Sequence, residues 1–148
     1  MSPALLCVLA LVLAGVGSVL PVSPTEPALL AMSAAAPPGL ALLLALLATV
    51  GHMTGKLLVY AGGRRATRVL SARHQRALER ARPRMTGSRW AQYATVLVSG
   101  ATGLPPFYGV TVLSGAMGLP LPGYLIAGSA GRAARFAGLA LLPQLLHS

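Results

Sequence analysis

Acidic residues are nearly absent from this chain of 148 residues, which has two of them against twelve lysines and arginines. Two carboxylates leave little room for paired acid–base catalysis, and the chain contains neither an HExxH motif nor a serine-centred catalytic motif. A single cysteine, Cys7, excludes an intrachain disulfide and a cluster of thiolate metal ligands. We therefore expect no enzymatic activity, no bound metal and no cofactor.

The residues that are present favour a membrane protein. Hydrophobic residues make up 55% of the chain, charged residues make up only 9%, and the mean hydropathy is +0.70. The apolar residues are mainly Ala, Leu, Val and Gly, which allow helices to pack closely in lipid. The predicted fold is an all-α integral membrane protein, a single helical bundle with about three to four transmembrane helices and two short re-entrant segments.

The positive charge is confined to one part of the chain. Nine of the twelve basic residues lie between Arg64 and Arg89, where a basic helix is expected to run to Arg82 and to stop at Pro83. A basic segment between apolar runs is typical of a cytoplasmic connection in a multi-pass protein of the cell membrane. We expect it to contact anionic lipid headgroups, and its confinement argues against nucleic-acid binding.

Apolar runs and breaks divide the chain into six segments. The first run carries no Lys or Arg before it, which favours a span over a signal peptide without excluding the latter. The central run, Leu40 to Ala61, has one formal charge and would measure about 33 Å as a helix. The predicted segments are a first span (1–20), a re-entrant segment (21–38), the central span (39–63), the basic loop (64–89), a second broken segment (90–123), and a last span with its tail (124–148).

Two of these segments are broken by proline and glycine in similar ways. Pro24 and Pro27 open a short apolar piece that leads to A-M-S-A-A-A-P-P-G-L, and Pro105 and Pro106 open one that leads to A-M-G-L-P-L-P-G-Y-L. Short broken hydrophobic segments at corresponding positions in two halves indicate a transporter-like binding site. Two unrelated proline-rich loops would also produce this pattern, and the sequence leaves both interpretations open.

Charged side chains in the apolar parts are the candidate lipid-headgroup residues. If the first broken segment enters the membrane, Glu26 lies at its mouth beside the positive end of a short helix that starts near Pro27; otherwise Glu26 is an exposed loop residue. Arg132 and Arg135 are one helical turn apart on one face. They lie inside the last span if that span runs from Tyr124 to Leu146, and at the cytoplasmic headgroups if it ends at Gly131.

The central span carries a polar stripe beside a smooth face. His52, Lys56 and Tyr60 are spaced i, i+4, i+8, so they share one face of the helix. Gly51 and Gly55 form a GxxxG pair on the neighbouring face, where another helix can approach closely. We expect Lys56 to snorkel towards the loop and the headgroups, with a transport role as the alternative. His52 is deeper and needs a polar partner, and a lone histidine does not indicate a metal site.

Several stretches together resemble the DedA family of membrane proteins, also called the SNARE-associated Golgi protein or VTT-domain family. They are P-T-E-P-A-L-L, G-H-M-T-G-K-L-L-V-Y-A-G-G-R, S-G-A-T-G-L-P-P-F-Y-G-V-T-V-L-S-G-A-M-G and G-R-A-A-R-F, in this order between Pro21 and Phe136. The resemblance implies two re-entrant hairpins that face each other, with Glu26 as the acid of the first hairpin and Gly115 within the second motif. It also implies movement of phospholipids or lipid carriers between leaflets.

The sequence departs from the bacterial pattern of that family in two places. Family arginines near the second hairpin's proline are replaced here, where Gly100, Ala101, Gly103 and Phe107 stand. The acid beside the second glycine of the central span is replaced by Lys56. Arg132 and Arg135 are then the residues that would supply an anion site, because guanidinium groups match phosphate geometry.

These observations predict a protein that moves an anionic lipid, such as a polyprenyl-phosphate-type carrier, between leaflets. The alternative from another class is a membrane scaffold or assembly factor that acts through its basic cytoplasmic loop. The expected partners are membrane lipids, and the sequence leaves a homo-oligomer open.

Overall fold

The structure of the chain is a computed structural model. It describes residues 2–20, 24–66, 76 and 87–148. Those residues contain six helices and no strand. The predicted basic helix, Arg64 to Arg82, falls mostly outside the described residues. The helices are α1 (Pro3–Ser18), α2 (Thr25–Ala34), α3 (Pro38–Ala66), α4 (Arg89–Thr102), α5 (Phe107–Ala116) and α6 (Leu121–Leu146).

Local sequence accounts for several helix ends. The hydroxyl oxygens of Ser2 and Ser88 each accept a bond of 3.3 Å from a backbone N–H in the first turn of α1 and α4, as N-cap serines do. Gly103 ends α4 in the left-handed conformation, with φ of 79°, where a side chain would be strained. The breaks expected from Pro and Gly therefore coincide with real helix ends.

The same order of helices occurs twice. A helix of 16 residues (α1) or 14 residues (α4) is followed by a helix of 10 residues (α2 and α5) and then by a long one of 29 residues (α3) or 26 residues (α6). Pro24 and Pro106 take the same place, as the N-cap residues of the two short helices. Pro27 lies at the third position of α2. The similarity between the two broken segments thus extends to the helices that flank them.

The helices form two compact units, and each long helix contributes to both. The first unit contains Met1–Lys56 and Arg132–Ser148, which include α1, α2, most of α3 and the C-terminal half of α6. The second unit is Leu57–Gly131, which includes α4, α5, the last turns of α3 and the first turns of α6. Each unit therefore combines the short helix of its own half with the end of the long helix from the other half.

Small residues form the core of the first unit. Seven of its buried core residues are alanines, and Leu29, Leu44 and Phe136 fill the space between them. α1 lies directly against the glycine face of α3, because a Cβ atom added at Gly51 would overlap the carbonyl oxygen of Leu11. Gly55 is equally close to the carbonyl oxygen of Gly15. The GxxxG pair is thus the contact face for α1.

The second unit packs by the same means. A Cβ atom at Gly63 would overlap the carbonyl oxygen of Val112, and one at Gly115 would overlap that of Tyr60. These glycines bring α5 against the last turns of α3. The aromatic rings of Phe107 and Tyr124 stack with centroids 6.3 Å apart, and both side chains are buried.

Two helices are long and apolar enough to cross a membrane, Pro38–Arg65 and Leu121–Leu146. The second is continuous past Gly131 and contains Arg132 and Arg135, so the last helix does not end at Gly131. α1, with 16 residues, and α5, with 10, are shorter apolar helices. The described part of the chain therefore supports a helical protein with two candidate spans, and the larger number of spans stays a prediction.

The contact between α1 and α3 predicts that alanine substitutions at two glycines of α3 have different effects on stability. Gly51→Ala should destabilise the protein by about 1–3 kcal/mol because the new methyl group forces α1 away from α3. Gly62→Ala is the matched control, since a Cβ atom there has nothing within 4 Å, and it should be neutral or stabilising by up to about 1 kcal/mol. Thermal unfolding of both variants in one detergent checks this. Equal melting temperatures would show that α1 does not pack at Gly51.

Candidate functional site

Glu26 lies in the first turn of α2 and is held by an arginine of α6. The Nε and Nη2 atoms of Arg135 donate to the two carboxylate oxygens of Glu26, at 2.5 and 2.8 Å. This is the two-pronged geometry in which a guanidinium group recognises a carboxylate most specifically. The amide dipoles at the start of α2 also favour the negative charge. The carboxylate between the prolines is therefore an ion-pair partner, which excludes the reading as a plain exposed loop residue.

Arg132 approaches the same carboxylate from the preceding turn of α6. Its Nη1 atom is 3.5 Å from Oε1 of Glu26, and its side chain is more deeply buried than that of Arg135, with 10% exposed against 27%. The guanidinium carbon of Arg132 lies 5.8 Å from the ring centroid of Phe136, within the range of a cation–π contact. One carboxylate thus faces two arginines.

His52 and Lys56 bring two further basic side chains to the same unit. Each is 2% exposed, and the ring of His52 stands edge-on to Phe136, with centroids 5.6 Å apart. The ring of Phe136 thus contacts both His52 and Arg132, and Lys56 lies one turn further along α3. We call Glu26, His52, Lys56, Arg132 and Arg135 the charged cluster.

The charged cluster has an excess of positive charge. Glu26 supplies one negative charge, while Lys56, Arg132 and Arg135 supply three positive ones when all are ionised. The chain has only one other acidic residue, Glu79, which lies outside the described residues. Charges held away from water need compensation by opposite charge. Among the described residues, the cluster is therefore positively charged overall.

Glu26 stays ionised over the ordinary pH range. It lies outside the two candidate spans, and the hydrogen bond from Arg135 holds the pKa of its carboxyl below the usual 4.5, against the opposing effect of burial. Because the folded pKa is lowered, the ion pair stabilises the fold at neutral pH, and this contribution is lost as the pH falls through the folded pKa.

The expectation that Lys56 snorkels to the headgroups is wrong. Its Nζ atom donates to the carbonyl oxygen of Ser18 at 2.5 Å, and Ser18 is the last residue of α1. Carbonyl groups in the last turn of a helix lack partners within that helix. The flexible stem of Lys56 therefore turns inward to the end of α1.

Gln144, which the sequence analysis missed, donates hydrogen bonds to the C-terminal end of the short helix α2. Its Nε2 atom donates to the carbonyl oxygens of Ser33 and Ala36, at 3.2 and 2.8 Å. These two groups lie at the last turn of α2 and just beyond it. The available signal was a single amide side chain in the otherwise apolar C-terminal end of α6.

Tyr60 shares a helix face with His52 and Lys56 but belongs to the second unit. Its hydroxyl group donates to the carbonyl oxygen of Leu119, in the turn after α5. Its ring lies 5.3 Å from that of Tyr124, whose hydroxyl oxygen is 2.7 Å from that of Thr111. The described contacts of Tyr60 are thus structural ones in its own unit.

The remaining predicted site residues lie at breaks and contacts of the helices. Pro24 precedes Glu26 as the N-cap of α2, and Pro106 precedes α5. The carbonyl oxygen of Pro105 accepts a hydrogen bond from the hydroxyl group of Ser99 in α4. Gly115 lies at the contact between α5 and α3. These residues shape the broken segments rather than carry charge.

Comparisons of the chain with models of protein families, with curated proteins and with solved structures find no match.

The hydrogen bond from Tyr60 to Leu119 predicts that loss of the Tyr60 hydroxyl group lowers the stability of the protein. Tyr60→Phe should lower the free energy of unfolding by about 1–3 kcal/mol, because it leaves the buried carbonyl group at Leu119 without this donor. Tyr93→Phe removes a hydroxyl group from a partly exposed ring of the same unit and should change stability by less than about 0.5 kcal/mol. Denaturation curves in one detergent compare them. Matching curves would mean that the Tyr60 bond contributes no stability.

Proposed function

We propose that this protein is a multi-pass protein of the cell membrane that moves an anionic lipid between leaflets, as the resemblance to the DedA family implies. The observation that carries the proposal is the charged cluster, in which two arginines face one carboxylate and Lys56 is buried in the same unit. A phosphate group entering this cluster would balance its charge. The cluster would bind the phosphate group through charge and hydrogen bonds alone, and no covalent step is needed.

The position of the two arginines along α6 supports a site at membrane depth. At 1.5 Å per residue, Arg132 is ~17 Å from the first residue of α6 and ~21 Å from the last. If α6 crosses the bilayer, both guanidinium groups are near its middle, where a charge is costly unless it is paired or hydrated. Ionisable residues at that depth mark substrate pathways in transport proteins.

The surfaces of the helices support the membrane placement. Only 28% of the most apolar window of α6 is buried, whereas the core helix of a soluble protein would be covered. α1 also leaves large apolar side chains exposed, among them Val8 at 57% and Val16 at 66%. Lipid chains would cover these faces. In this setting α2 and α5, with ten residues each, are the re-entrant pieces, because they are too short to cross.

The charged cluster predicts loss of transport when either sign of charge is removed. Glu26→Gln and Arg132→Gln should each abolish movement of a fluorescent anionic phospholipid in reconstituted vesicles, while the protein still accumulates. Arg89→Gln is the matched control, since it changes an exposed arginine outside the cluster. A panel of lipid headgroups in the same assay identifies the preferred substrate.

The energetic coupling between Glu26 and Arg132 tests their ion pair independently of transport. The cost of the double variant in stability should be less than the sum of the two single costs, because each single change leaves the other charge without its partner. Transport at the wild-type rate in the Glu26→Gln protein would overturn the proposal. If transport is absent from the wild-type protein and substitutions in segment 64–89 abolish its cellular role, the scaffold function replaces it.

The membrane placement predicts a cytoplasmic segment between residues 64 and 89. In a Cys7→Ala background, single Ser71→Cys and Ser88→Cys variants should resist an impermeant thiol reagent in intact cells and should react after permeabilisation. Only Ser88 is among the described residues. Labelling in intact cells would reverse the proposed orientation, since the basic residues would then face outward.

A further inference from the structure

A cavity of about 470 Å³ lies in the second unit, at the C-terminal end of α3. Its size is that of an ordinary small-molecule site. Apolar residues and two arginines line it, a combination that suits an amphiphile with a negatively charged head. The lining residues are Leu57, Tyr60, Ala61, Arg64, Arg65 and Leu121.

The wall of the cavity is fixed in place by the packing of α5. A Cβ atom at Gly115 would lie 3.1 Å from the backbone nitrogen of Arg64, and one at Gly63 would overlap the carbonyl oxygen of Val112. α5 therefore touches the backbone from which the arginines project. The hydrogen bond from Tyr60 to Leu119 fixes a third part of the wall. A binding group carried by a rigid element is positioned more precisely than one on a loop.

The charge at this end of α3 favours an anion. Arg64 and Arg65 lie in the last turn of α3 and are exposed. Their two positive charges exceed the partial negative charge, about half an electron, that a helix carries at its C-terminal end. The candidate span Pro38–Arg65 ends at these residues, so in a membrane they would lie at headgroup level. Apolar side chains such as Leu58, which is 68% exposed, lie one or two turns deeper.

We propose that this cavity binds the phosphate headgroup of an anionic phospholipid from the leaflet that faces the basic segment. Arg64 and Arg65 contact the phosphate, and the acyl chains leave the cavity over Leu57 and Leu121 into the surrounding lipid. The proposal rests on the membrane placement described above and is separate from the charged cluster, whose residues all belong to the first unit. Binding here holds a lipid at the surface of the protein and requires no transport.

The experiment is a titration of the full-length, delipidated protein in detergent, followed by native mass spectrometry. The probes are a phosphatidylglycerol, a phosphatidylcholine with the same acyl chains, and inorganic phosphate. The wild-type protein should bind the phosphatidylglycerol about 10-fold more tightly than the phosphatidylcholine, and the Arg64→Gln/Arg65→Gln double variant should lose this preference. Arg89→Gln controls for a general loss of positive charge.

A second variant separates the cavity from general attraction to basic residues. Ala61→Trp keeps both arginines and fills the cavity from an exposed position, so it should lower phosphatidylglycerol affinity about as much as the double variant does. Wild-type selectivity in the double variant, or full affinity in Ala61→Trp, would refute the lipid site. Competition by inorganic phosphate at equal concentration would identify a soluble anion as the ligand instead.

The same variants keep this proposal distinct from the proposed transport. Glu26→Gln should abolish lipid movement and leave phosphatidylglycerol binding at the cavity unchanged. Loss of selective binding in Glu26→Gln would show that the charged cluster, and not the cavity, is the site measured. Selective binding without any lipid movement in the wild-type protein would support the cavity and contradict the transport function.

Discussion

The fold depends on donors for the carbonyl groups at the ends of its shorter helices. α1 and α2 stop within largely apolar surroundings, as does the turn after α5, and a buried carbonyl group without a partner costs free energy. Side chains of the two long helices supply the donors. Lys56 of α3 binds the end of α1, Gln144 of α6 binds the end of α2, and Tyr60 of α3 binds the turn after α5.

This requirement explains why the long helices carry polar residues at all. A side chain that donates a hydrogen bond to the end of a neighbouring helix removes the penalty for ending that helix in apolar surroundings. Broken backbone is tolerated at membrane depth only where protein or water satisfies its polar groups. Lys56 and Tyr60 are one turn apart on α3, and they serve helix ends in different units. The polar stripe of α3 is therefore explained largely by structure, and only part of it remains for function.

Sequence predicted the features that depend on spacing or on backbone chemistry. The GxxxG pair gave the close contact of α3, and the prolines and glycines gave the ends of α2, α4 and α5. The spacing of Arg132 and Arg135 placed both on one face of a helix, and Glu26 was a candidate headgroup residue together with them. In the described residues these three side chains do meet.

Sequence could not predict the features that depend on where a flexible side chain turns. The stem of Lys56 is long enough to reach a headgroup or a helix end, and only the position of α1 decides between them. The course of α6 past Gly131 was equally open, because two arginines in an apolar run fit either a buried site or a membrane surface. Gln144 gave a weak signal because one amide side chain has no periodicity.

The charged side chains of the first unit comprise one ion pair that explains how α2 is held, and two further positive charges. An ion pair between Glu26 and Arg135 would suffice to hold α2 against α6, and a single opposite charge is the least costly way to bury either one. Arg132 adds a second positive charge to the same carboxylate, and Lys56 adds a third to the unit although a neutral donor would satisfy Ser18 equally well. These two charges are the reason why an anionic ligand is proposed at this cluster.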